Sequence, residues 1–146
     1  MFETLKNVIR ILLSTALTLF FLACVWLSNV CVLRKIDGER TFYVYASSSQ
    51  ATRTQTLDWS QLFFVRGESV RLTSVPTDGV AFANALADTF RAEILFVEEV
   101  GDTLSFYAFS PNLPRGIMLY GEKINLHIAI STRGCVVGSP IIFDGY

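Results

Sequence analysis

The chain has 146 residues, 12 Lys and Arg against 13 Asp and Glu, three cysteines and one histidine. One histidine and three scattered cysteines exclude a Cys/His-rich metal module, and the charge balance excludes a strongly basic nucleic-acid binder. No long block of like charge marks a disordered tail.

Residues 1–10 read as a short N-terminal tail carrying Lys6 and Arg10. The 23 residues Ile11 to Leu33 carry no charge and end at Arg34 and Lys35. At about 1.5 Å per helical residue such a run reaches about 34 Å, enough to cross a hydrocarbon core of about 30 Å. It is longer than the apolar core of a cleavable signal and is not followed by an A-x-A-like site. Phe21-Leu22-Ala23-Cys24 has a faint lipoprotein look, but its residues are bulky and the apolar run continues past the cysteine. The expectation is an uncleaved transmembrane signal anchor over 11–33. Cys24 and Cys31, seven residues apart, then share roughly one helical face and serve packing.

Lys6 and Arg10 flank one end of the anchor, and Arg34, Lys35 and Arg40 the other, so the positive-inside count is nearly balanced. Long domains translocate largely regardless of charge, and a short basic tail before the first apolar segment usually stays inside. The expected location is therefore the cell membrane, single-pass, with residues 36–146 as one extracytoplasmic domain. That segment has eight Lys and Arg against twelve Asp and Glu, about −4, which argues against binding a phosphate backbone.

Within the domain, Thr41 to Ala46 alternates as a strand, and Ser47 to Thr56 reads as a loop. Leu57 to Val65 predicts a short helix with Asp58 as N-cap and Trp59, Leu62 and Phe63 on one face. Glu68 to Thr73 predicts a second strand. The main helix follows Pro76 with Asp78 as N-cap; Val80, Ala83, Ala87 and Phe90 recur at helical spacing, with Asn84, Asp88 and Arg91 on the solvated side. Five strands follow: Glu93–Glu99 and Leu104–Phe109 around Val100-Gly101-Asp102, then Ile117–Tyr120, Ile124–Ile130 and Cys135–Phe143. Pro140 cannot donate to a ladder and predicts an edge, a bulge or a strand start. The fold class expected is α+β: an N-terminal transmembrane helix, then an antiparallel sheet of five to seven strands with one main helix on one face.

The stretch Gly121-Glu-Lys-Ile-Asn-Leu-His-Ile-Ala-Ile130, followed by Val137-Gly-Ser-Pro-Ile-Ile142, resembles the closing strands of the YwmB family of spore-forming Gram-positive bacteria. The helix-then-five-strands order is also similar to one repeat of the TATA-box-binding-protein-like fold of that family. The match covers roughly the last quarter of the chain and carries no catalytic motif. The resemblance implies a cell-envelope protein associated with sporulation, and no activity or cofactor.

His127 lies in a strand, and Cys135 is the domain's lone cysteine. A thiol nucleophile and its base could be built from them across a hairpin, which is the alternative, enzymatic reading. Glu98, Glu99 and Asp102 surround a turn but lack calcium-loop spacing. No phosphate loop, nucleophile elbow or H-E-x-x-H occurs. No cofactor, metal or catalytic set is expected. The function expected is a membrane-anchored, non-catalytic binding or assembly module, with a protein partner or a second copy of itself. Strand alternation places Tyr43, Tyr45, Tyr107, Phe109, Met118, Tyr120 and His127 on the sheet face opposite the main helix, as a candidate partner-binding face. The competing expectation is that Ser47–Val65 folds over that face through Trp59, Leu62 and Phe63.

Overall fold

The computed structural model describes residues 2–28, 30–74 and 76–143 and divides into two compact units, Met1–Cys31 and Val32–Tyr146. The first unit is the helix α1, Phe2–Ser28. It starts inside the expected tail and stops five residues before the end of the apolar run. Its stretch Glu3–Trp26, in which an 18-residue window reaches a mean hydropathy of 2.3, is long and apolar enough to cross a membrane. The hydroxyls of Thr15 and Thr18 donate to the carbonyls of Ile11 and Ser14, each at 2.9 Å, so the helix itself satisfies these two donors.

The second unit begins at Val32, four residues before the expected Ile36. Residues 32–35 form a turn closed by the Ile36 amide donating to the Leu33 carbonyl at 2.9 Å. Leu33 is fully buried and Ile36 nearly so. The end of the apolar run therefore belongs to the domain core, a distinction hydropathy alone does not draw.

Two strands follow, β1 (Glu39–Val44) and the short β2 (Thr52–Thr54), which forms inside the expected loop. The expected helix over 57–65 is only a 3-10 turn at Leu62–Phe64. Its N-cap is Gln61 rather than Asp58, and no side chain caps it; Asp58 acts through its backbone, its carbonyl accepting from the Gln61 and Leu62 amides and its amide donating to the Gln61 side chain at 3.1 Å. The strand β3 (Val65–Leu72) leads to α2 (Gly79–Phe90). The Asp78 carboxylate caps α2 by accepting from the Ala81 amide at 2.9 Å, as the sequence predicts. Ala83, Ala87 and Phe90 are buried, whereas Val80 at the first turn is exposed. At the other end Arg91 adopts the left-handed conformation that closes many helices. Lys35 reaches the same end, donating to the Thr89 carbonyl at 3.2 Å, where a cation complements the helix dipole.

After α2 come β4 (Glu93–Val100), β5 (Thr103–Phe109), β6 (Ile117–Leu119), β7 (Glu122–Ile124), β8 (Leu126–Ser131) and β9 (Gly134–Ser139). The expected strand Ile124–Ile130 is two strands because Asn125 turns inward. Its amide nitrogen donates to the carbonyls of Ser110 and Leu113 at 2.7 and 3.0 Å, and its oxygen accepts from the Ser110 amide at 2.7 Å. These bonds tie down the loop over 110–116, which carries Pro111 and Pro114.

The main sheet is antiparallel with seven strands in the order β2-β1-β3-β9-β8-β5-β4; β6 and β7 form a separate two-stranded sheet. The class is α+β. On one face Val70, Phe106, Leu126, Ile128, Ile130, Cys135 and Val137 form the core with Ala83 and Phe90 of α2, and with Leu33 and Ile36. The turn at 32–36 thus shares with α2 the task of covering this face. A fragment starting at Ile36 lacks Leu33 and is expected to be less stable by about 2–5 kcal/mol than one starting at Val32, the range for emptying a buried leucine site. Denaturant melts of the two fragments check this.

Candidate functional site

The face away from α2 is where the sequence places its candidate site. Strand register sets a row across it: Ser69 on β3, Gly138 on β9, His127 on β8, Tyr107 on β5 and Phe96 on β4. The last three rings form a ladder. Tyr107 stacks on His127 with centroids 4.4 Å apart and planes 12° apart, and on Phe96 at 4.7 Å and 23°. Such cross-strand aromatic contacts stabilise a sheet beyond their buried area.

This face is covered, but not by Ser47–Val65. Over β8 and β9 the cover is the segment after Pro140. Gly138 admits it: a Cβ there would lie 2.8 Å from the Ile142 backbone nitrogen and 2.7 Å from its side chain. The Ile142 amide then donates to Nδ1 of His127 at 3.3 Å. Gly67 admits the same segment, since a Cβ would lie 3.0 Å from the Pro140 ring and 3.3 Å from the Phe143 ring. Phe143 packs edge-on against Tyr43 at 5.1 Å, and the Tyr43 hydroxyl pairs with that of Ser69 at 2.9 Å. On the other side the β6–β7 hairpin closes over β4 and β5, with Tyr120 edge-on to Phe96 at 5.7 Å and Lys123 above the Phe109 ring. Its two-residue turn, Tyr120-Gly121, has positive φ at both positions, the geometry that suits a tight hairpin.

The seven candidate residues therefore divide. Tyr43, Tyr107 and His127 are buried, and Phe109 is half-buried. Tyr45, Met118 and Tyr120 are exposed at 53%, 67% and 77%. Tyr45 packs on Phe64 at 5.3 Å, at the end of β1, while Met118 and Tyr120 belong to the β6–β7 hairpin. The expected single aromatic face is a covered ladder with two separate exposed edges. The signal that marks the cover is the pair of strand glycines, Gly67 and Gly138, since a glycine inside a strand often marks close backbone approach.

His127 and Cys135 do not form a pair. His127 is opposite Gly138 and faces the ladder, whereas Cys135 is opposite Ile130 and faces the α2 core. Burial pushes the His127 imidazole down to about 4 and the Cys135 thiol up to about 12. A nucleophilic thiolate needs the opposite shift. Among the described residues no group of three or more His, Cys, Asp and Glu is placed to hold a metal ion. Asp102 instead accepts from the Thr132 hydroxyl at 2.5 Å, a bond that lowers its carboxyl pKa.

One buried charge pair escapes sequence reasoning. Glu68 on β3 is fully buried on the α2 side of the sheet. One carboxylate oxygen accepts from the Leu33 amide, and the other pairs with Arg40 at 2.8 Å. Arg40 also donates to the Leu33 and Ile36 carbonyls, each at 3.3 Å. Desolvation raises the Glu68 pKa, with the Leu33 amide and Arg40 opposing it. Comparison of the chain with protein-family models, curated proteins and solved structures finds no match.

The ladder makes a pH prediction. Nδ1 of His127 accepts a hydrogen bond, so the ring is held neutral, and its folded pKa of about 4 lies below the ordinary 6.5. The unfolded chain binds the proton first, so this contribution is complete above pH 6.5 and is lost as pH falls toward 4. The loss is on the order of 3 kcal/mol. Glu68, with its raised carboxyl pKa, has the opposite sign, since the folded state holds that proton more tightly. Chemical-denaturation midpoints of the wild-type chain and of His127→Phe, measured from pH 7 to pH 4, isolate the histidine term. The difference between them is expected to shrink as pH falls; a constant difference contradicts it.

Proposed function

We propose that the chain is a membrane-anchored, non-catalytic binding or assembly module of the cell envelope, with its domain outside the cytoplasm. The observation that carries this reading is the pairing of a helix of membrane-spanning length with a domain whose histidine and sole cysteine project from opposite faces, both buried. That separation disfavours the thiol-enzyme alternative. The acidic domain disfavours nucleic acid as partner. The resemblance of the closing strands to the YwmB family adds a setting, the envelope of a sporulating cell.

Met118 and Tyr120, exposed on the β6–β7 hairpin, offer the contact to a protein partner or a second copy of the chain. Tyr and Met are enriched in interfaces, because an apolar body and an adaptable thioether suit a surface that alternates between wet and buried. In intact spheroplasts, added protease is expected to digest the domain; protection reverses the proposed orientation. In membranes solubilised in mild detergent, replacing Met118 by Ser, which leaves the contact of Tyr120 with Phe96 intact, is expected to reduce the mass of the native complex without lowering the melting temperature. Cys135→Ala is expected to leave that mass unchanged. The reverse pattern favours a thiol-dependent activity.

A further inference from the structure

The strands define two ends of the domain. At one lie the start of β3, the end of β1, the end of β5, the start of β8 and the end of β9, since Val65 pairs with Val44, Glu68 with Ser139 and Leu126 with Ala108. The C-terminus of α2 is at this end too, because the Ser110 hydroxyl, just beyond β5, donates to the Phe90 carbonyl at 2.5 Å. The chain enters the domain here. Leu33 bonds Glu68, near the start of β3, and Lys35 bonds Thr89 at the end of α2. It then crosses to the opposite end, where Glu39 pairs with Arg71 and β1 begins.

The exposed aromatics occupy the same end as the point of entrance. The Phe64 carbonyl accepts from the Tyr45 amide at 2.9 Å, joining the 57–64 turn to the end of β1. Trp59 is 85% exposed, Phe63 71%, Tyr45 53% and Phe64 45%. Exposed Arg66 follows directly in the chain. Large aromatics on a loop tip carry the unfavourable hydration of apolar surface that burial in a core would have removed, and Asp58 with Gln61 hold the turn in this outward arrangement. Three residues, 29–31, separate Ser28, the last of α1, from Val32, the first of the domain, so the connection is four backbone steps. At no more than about 3.5 Å per step, this tether reaches about 14 Å at most.

We propose that the 57–64 turn is a second membrane contact, with Trp59 and Phe63 inserted at the headgroup level of the same bilayer that α1 spans. The inference rests on the anchor reading. Trp and Tyr concentrate at membrane–water interfaces because their apolar rings and polar edges match that layer, and an arginine beside them keeps its head among the lipid phosphates. The tether supplies the effective concentration, so a loop of modest affinity stays docked.

The chain contains two tryptophans, Trp26 in α1 and Trp59 in the turn, which allows both readings to be tested separately. The full chain with Trp26→Phe and the full chain with Trp59→Phe are each reconstituted into phosphatidylcholine vesicles, with and without lipid brominated along or near the top of the acyl chain. Trp59 is expected to show blue-shifted emission relative to its value in urea and strong quenching by shallow bromine. Trp26 is expected to be quenched by brominated lipid. Quenching of Trp26 with Trp59 unquenched and water-like overturns the inference and leaves the anchor intact. A blue-shifted but unquenched Trp59 also overturns it, since a second copy or another protein surface then covers the turn. Failure to quench either residue overturns the anchor reading and this inference with it.

Discussion

The buried pair of Glu68 and Arg40 is the constraint on which the domain's layout depends. Glu68 is fully buried, and it is held by the Leu33 amide and the Arg40 guanidinium, with the Val32 backbone contributing, all from the segment that precedes or begins β1. A buried ion pair is weak evidence of stability in itself, because desolvating two charges offsets most of their attraction. Its effect here is directional. Without the Leu33 amide and Arg40 the carboxyl would be buried unpaired and driven toward its neutral form, so its charged form depends on the placement of Leu33 and Arg40. Arg40 completes the arrangement by bonding the two carbonyls that the turn leaves open.

From that placement the two sides of the sheet follow. The α2 side needs two covers, because α2 lies over β4 and β5 while β3 is left to the turn at 32–36. The opposite side also has two, the β6–β7 hairpin and the segment after Pro140. Each cover meets the sheet through a local device: Lys35 on the last turn of α2, Gly138 beneath Ile142, Tyr120 against Phe96. With both faces occupied, the most exposed aromatics among the described residues of the domain are Tyr120 at the hairpin tip, Tyr45 at the end of β1, and Trp59, Phe63 and Phe64 in the 57–64 turn. The functional reading therefore moves from a sheet face to an edge and an end.

The elements that depend on local pattern were legible in the sequence. The α2 stripe at Ala83, Ala87 and Phe90, the Asp78 cap and the Gly101 hairpin need only residues close in the chain, and they stand where the spacing puts them, while Val80 in the first turn is exposed. What was not legible depends on long-range pairing. The apolar run to Leu33 does not reveal where lipid-facing residues give way to core-facing ones. Glu68, at the start of a strand, reads as solvated until Arg40 and Leu33 are brought to it. Ile141 and Ile142 read as a continuing strand, although they fold back over Gly138. Asn125 reads as an ordinary strand residue until Ser110 and Leu113 supply its partners. The exposure of Trp59 and Phe63 runs against the hydrophobic pattern, which assigns such residues to a core.

The central claim, that the juncture between α1 and the domain is pinned into the core by Glu68, is tested most directly by hydrogen exchange at the Leu33 amide. In the wild-type full-length chain this amide is predicted to exchange as slowly as those of β8 and β9. In Glu68→Ala it is predicted to exchange much faster while the β8 and β9 amides stay protected. Rapid exchange at Leu33 in the wild-type chain, or slow exchange that survives removal of the Glu68 carboxylate, contradicts the account.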